Sequence, residues 1–211
     1  MIDIIGELAA VHRETGRRPL PGGEARTVRL RRHYDADIED VWDALTTAER
    51  INRWFLPVSG DLRLGGHYQF EGNAGGEVLQ CEPPRLLKVS WIFGEPAEGD
   101  VSEVEVRLSE DGGKTVLDLQ HVATVDAERW ATYGPGAVGV GWEGALLGLG
   151  MYLGGGEMTD EERHAWSETP DAKQFMTGSA EAWGAAMTAA GSTRDEAATA
   201  IRNTIDFYVP S

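Results

Sequence analysis

The sequence holds a single cysteine, Cys81. This excludes an internal disulfide and any multi-cysteine metal site, suits a reducing compartment, and is read as a buried structural thiol. Cations are scarce too: 19 Lys plus Arg face 35 Asp plus Glu, a formal net charge of −16. Phosphate backbones and anionic headgroups need clustered cations, so nucleic acid is not an expected partner. The one basic cluster, Arg26, Arg29, Arg31 and Arg32, flanks Val28 and Leu30 and reads as a solvated strand face. Long hydrophobic runs are missing, with no stretch near the roughly 18 apolar residues of a membrane span. Met1 to Val11 carries Asp3 and Glu7 in place of the basic region of a secretory signal. These absences lead to the expectation of a cytoplasmic protein without membrane insertion.

Chemical motifs are equally thin. His12, His33, His67, His121 and His164 are scattered without metal-ligand spacing, and neither a GxSxG elbow nor a P-loop occurs. No metal, no cofactor and no catalytic residue is therefore assigned. Gly134 to Gly139 and Gly139 to Gly144 have GxGxxG spacing, but the polar segment Asp126 to Tyr133 precedes them where a dinucleotide site needs a buried strand. A glycine-rich loop leading into a helix is the expectation.

What is present is core material: 41% apolar residues, seven of them tryptophans, in 211 residues. Ile4, Ile5, Leu8 and Val11 recur at helical spacing, predicting a short helix that ends near Gly16, and Arg17 to Gly23 reads as a linker. Thr27 to Tyr34 alternates as a half-buried strand. Asp37 should cap a helix bearing Ile38, Val41, Trp42 and Leu45, followed by a turn with Ile51, Trp54 and Phe55. The runs Tyr68 to Glu71, Glu77 to Cys81, Leu86 to Phe93, Ser102 to Leu108 and Thr115 to His121 predict an antiparallel meander, for about six strands in all. Trp142, Ala145, Leu146, Leu149, Tyr152 and Leu153 share one face of a long helix on that sheet, despite Gly141, Gly144, Gly148 and Gly150. Behind it, a helical tail shows a Thr159–Glu162 capping box, Pro170 in a first turn, and a cap at Ser192. Its stripes are Ala172, Phe175, Met176, Trp183 and Met187, then Ala198, Ile201, Ile205 and Tyr208. The division read from this pattern is 1–23 (amphipathic helix and linker), 24–156 (main domain) and 157–211 (helical extension packed on it).

The segment Glu39 to Thr46 leading to Glu49–Phe55, Gly65-Gly66 before a strand, Gly76-Glu77-Val78 before Pro83-Pro84, Leu86 to Trp91, and Gly141-Trp142 resemble the bacterial relatives of the Hsp90 ATPase activator's C-terminal domain. The resemblance covers residues 26 to about 154. It implies an α+β helix-grip fold of the Bet v 1/START-like (SRPBCC) superfamily, a curved antiparallel sheet gripping a C-terminal helix over a hydrophobic cavity.

Within that expectation the wall candidates are Trp42, Trp54, Phe55, Tyr68, Phe70, Trp91, Phe93, Trp142, Leu146, Leu149 and Tyr152, since aromatic walls hold flat or lipidic ligands by area. His121 falls on the same side as Leu117 and Leu119, where it points to the cavity or bonds backbone or solvent at a strand end. The leading expectation is non-catalytic binding of an apolar or aromatic small molecule. A cyclase or dehydratase moving protons through His121, with Tyr68 or Tyr152, is the enzymatic alternative. A chaperone partner is what the family name implies, and the apolar stripes of the tail also suit a homodimer.

Overall fold

The computed structural model describes residues 2–20, 23–95, 97, 99–156 and 159–210. Asp3 accepts the Gly6 N–H at 3.0 Å and caps helix α1 (Ile4–Ala9). The chain then becomes extended: β1 (Val11–Leu20) pairs antiparallel with β2 (Gly23–Tyr34), with Val11 opposite Arg32 and Leu20 opposite Gly23. This corrects the expectation of a helix to Gly16 followed by a linker; the part of that linker at Pro21 and Gly22 lies outside the described residues. The inward positions include Val11 and Arg13, and Arg13 is tolerated there because Nε and Nη2 each donate to Glu143 at 2.6 Å. An arginine on the inner face hides a period of two from any reading based on apolar residues alone. Arg32 behaves likewise: it is buried beside Leu30 and paired to Glu7 at 2.6 Å, so the basic cluster is only partly a solvated face.

Helices α2 (Ile38–Thr46) and α3 (Ala48–Trp54) bury Ile38, Val41, Ala44 and Ile51. Asp37 stands at the α2 N-cap, but its side chain makes no capping hydrogen bond. Next come β3 (Val58–Gly60), β4 (His67–Phe70), β5 (Gly75–Glu82), β6 (Leu86–Ser90), β7 (Ser102–Asp111) and β8 (Lys114–Ala123). Gly112 and Gly113, at φ 60° and 80°, make the β7–β8 turn in a conformation that favours glycine.

The described residues form one eight-stranded antiparallel sheet in the order β1-β2-β8-β7-β6-β5-β4-β3. The two strands beyond the expected six are β1 and β3, the latter three residues long and too short to show alternation. The ladder of β6 stops at Ser90; Ile92 makes a lone bridge to Gly75, and Phe93 is 75% exposed.

Asp126 accepts from the backbone N–H groups of Glu128 and Arg129 and starts α4 (Ala127–Tyr133), where no helix was expected. The long helix α5 (Gly136–Leu153) lies on the sheet and buries Leu146 and Leu149. The extension is α6 (Asp160–Ser167), α7 (Pro170–Ala189) and α8 (Arg194–Tyr208). The capping box sits at Thr159–Glu162, and Pro170 opens α7. The α8 cap is Thr193, boxed with Glu196, one residue beyond the expected Ser192. The buried face of α8 is Ala197, Ala200 and Thr204, while Ala198 is exposed.

Polar clamps hold the extension. Asn203 donates to the Thr132 carbonyl at 2.8 Å and Tyr208 to the Ala137 carbonyl at 2.8 Å, satisfying carbonyls around the α4–α5 break. Gly136 and Gly139 lie under Thr204 and Trp183, so these glycines admit the extension rather than a phosphate.

Candidate ligand cavity and outer cleft

Beneath α5 the sheet encloses an apolar cavity of about 110 Å³. Leu45, Trp54 and Phe55 close one end; Tyr68, Phe70, Leu87, Val89 and Trp91 form one wall; Val104, Val106, Leu117 and Leu119 form the floor; Trp142, Ala145 and Leu146 of α5 form the roof. The aromatic side is continuous: Phe55 meets Phe70 edge-on at 5.0 Å, Phe70 lies 5.4 Å from Trp91, and Trp91 lies 4.8 Å from Trp142. The Tyr68 hydroxyl donates to the Ser90 carbonyl at 2.7 Å, and burial raises its pKa.

Of the expected wall residues, Trp54, Phe55, Tyr68, Phe70, Trp91, Trp142 and Leu146 line this cavity. The rest are elsewhere. Trp42 packs against the core without reaching the cavity, Leu149 is wholly enclosed in packed side chains, and the Tyr152 hydroxyl accepts from Arg50 Nε at 2.9 Å. Phe93 and His121 belong to a second, larger space. Val104 and Val106 were missed by sequence reasoning, although their alternation in β7 was an available signal; Leu117 and Leu119 were read as inward-facing but not named as wall residues.

That second space is an outer cleft of about 960 Å³ between the ends of β6, β7 and β8, helix α4, and the C-terminal end of α8. Phe55, Trp91 and Trp142 border both spaces, so the Trp91–Trp142 pair is a partition between them. His121 lies at the cleft, 8% exposed, and the expectation that it ends a strand bonded to backbone or solvent is corrected: its partners are side chains. Trp142 Nε1 lies 3.2 Å from His121 Nδ1, and Ser102 Oγ lies 3.0 Å from His121 Nε2. An indole N–H only donates, so Nδ1 must accept and the neutral ring carries its hydrogen on Nε2, facing Ser102. Burial lowers the His121 pKa to about 4, keeping the ring neutral at pH 7.

This geometry limits the chemistry. His121 cannot take a proton from Ser102 in this tautomer, because the facing nitrogen already holds one. Cys81 is half-buried at the edge of the core, its pKa raised by burial. Among the described residues no group of three or more His, Cys, Asp or Glu side chains could hold a metal ion, and no helix is long and apolar enough to cross a membrane.

A curved antiparallel sheet gripping a long helix over an apolar cavity defines the helix-grip class, Bet v 1-like in architecture. Residues 35–154 match the family described as Activator of Hsp90 ATPase homolog 1-like protein, and the chain belongs to that family. CalU16 from Micromonospora echinospora is similar over more than this segment. Its crystal structure is 41% identical, covering 85% of this chain and 99% of its own, with a TM-score of 0.66. Its solution structure gives 42% identity, 86% and 97% coverage, and a TM-score of 0.69. DynU16 of the dynemicin biosynthetic locus shares the fold at 24% identity over 62% of this chain and 48% of its own, TM-score 0.53. The Aha1 dimer from Colwellia psychrerythraea shares it at 19% identity over 60% of this chain and 95% of its own, TM-score 0.52. No curated protein matches the chain.

Proposed function

We propose that the protein binds an apolar or aromatic small molecule in the cavity between sheet and α5, without transforming it. The observation that carries this reading is a preformed apolar cavity whose wall offers no free acid or base: Tyr68 is committed to the Ser90 carbonyl, and His121 lies outside the cavity. Cavities of this kind bind by shape and excluded apolar area. The fixed tautomer of His121 speaks against the cyclase or dehydratase alternative, which needs a base facing its substrate.

Calorimetry with 2-ethylnaphthalene tests the proposal against an Ala145→Phe variant, which places a ring in the cavity from α5. The expected result is measurable binding to the parent protein and at least a roughly tenfold loss in the variant, with cooperative unfolding retained. Equal affinity in both proteins would refute the cavity as the binding site.

A further inference from the structure

We infer that the ligand site continues past the Trp91–Trp142 pair into the outer cleft, where the Ser102 hydroxyl recognises a neutral hydrogen-bond acceptor such as a carbonyl or ether oxygen. This inference deepens the proposed cavity binding and rests on it.

Three observations converge. The first is the direction of the hydrogen-bond chain. Trp142 Nε1 donates to His121 Nδ1 at 3.2 Å, and His121 Nε2 donates to Ser102 Oγ at 3.0 Å. With its oxygen already accepting, Ser102 has its own hydrogen left to donate, and a chain polarised in one direction strengthens the final donor. The chain therefore presents the strengthened Ser102 O–H to a ligand acceptor.

The second is position. The Trp91 backbone N–H donates to the Ser102 carbonyl at 2.8 Å, which sets Ser102 opposite Trp91, whose ring borders both spaces. A flat apolar body against Trp91 and Trp142 would thus bring a substituent to the Ser102 hydroxyl.

The third is charge. Among the described residues, Glu77, Glu95, Asp100, Glu103 and Asp126 line the cleft against Arg26 and Arg129, with Glu103 also paired to Lys88 at 2.6 Å. Arg26 is already engaged, 3.7 Å from Glu24 and 4.7 Å from the Trp130 ring centre. An anionic acceptor would meet net repulsion on top of a large desolvation cost, whereas a neutral oxygen meets no such repulsion and a much smaller desolvation cost.

The experiment compares three naphthalenes of similar shape by calorimetry: 2-acetylnaphthalene (neutral acceptor), 2-ethylnaphthalene (no acceptor) and 2-naphthoate (anion). Ser102→Ala is expected to weaken 2-acetylnaphthalene by roughly three- to tenfold, the usual net worth of one neutral hydrogen bond, and to leave 2-ethylnaphthalene unchanged. Ser102→Thr, which keeps the hydroxyl, should retain the ketone's affinity, and 2-naphthoate should bind the parent protein more weakly than the ketone. If Ser102→Ala affects ketone and hydrocarbon alike, or neither, the inference is overturned while cavity binding stands. Tighter binding of 2-naphthoate than of the ketone overturns the neutral-acceptor assignment. If 2-ethylnaphthalene does not bind the parent protein, the cavity reading itself fails and the inference falls with it.

Discussion

The hydrogen bond between Trp142 and His121 has a direction that neither partner can reverse at neutral pH. Its consequence for stability has a definite sign. In the folded chain His121 titrates at about 4, below its ordinary 6.5, so between those values the unfolded chain binds more protons. The contribution of His121 is complete above pH 6.5 and is lost as pH falls toward 4. A shift of this size corresponds to about 3 kcal/mol. Denaturation midpoints measured from pH 4 to 7 should show this slope, and a His121→Gln variant should flatten it. Strand alternation made the inward direction of His121 legible in the sequence. Its partners were not, because Trp142 and Ser102 come from other elements and no local pattern links them.

The helix α5 shows why its glycines survive in a helix interior. Gly139 lies under the Trp183 ring, Gly148 faces the Trp54 carbonyl and Gly150 faces Arg32, so each marks a close approach of another element; a Cβ at Gly144 would meet no neighbouring element within 4 Å. Gly139→Ala should therefore destabilise by about 1–3 kcal/mol through overpacking. Gly144→Ala should stabilise by about 0.5–1 kcal/mol through helix propensity alone. Thermal denaturation of the two variants separates these cases, and shifts of the same sign would refute the assignment. The existence of α5 and its apolar face could be read from residue spacing, as could the β4–β8 meander. The division of its glycines into filled and open positions could not, since it depends on α7, α3 and β2 packing from outside. The α4 helix was missed because its residues bury no apolar stripe, leaving its Asp126 cap as the only cue.

Across the whole molecule, the N-terminal hairpin is anchored to α5 by Arg13 and Glu143, a bidentate pair with side chains 10% and 0% exposed. Breaking such a pair strands a buried charge. Glu143→Met is expected to cost about 3–5 kcal/mol, and the double variant Arg13→Met/Glu143→Met less than that, because neither charge is then left alone. Chemical denaturation of both variants measures the difference; a double variant worse than the single would refute it. The same pair explains why β1 was illegible. Its inward arginine makes sense only beside a glutamate 130 positions away. In the extension, Phe175, Trp183 and Met187 are buried, and Gly139 of α5 lies under the Trp183 ring. The sheet order carries one last consequence. Every neighbouring pair of strands is consecutive in the chain except β2 and β8, where Arg29 stands opposite Gln120. The β1–β2 hairpin and the β3–β8 meander can each zip from local turns, so the large loop-closure entropy of folding the sheet is concentrated at a single seam, the step most exposed to slow kinetics.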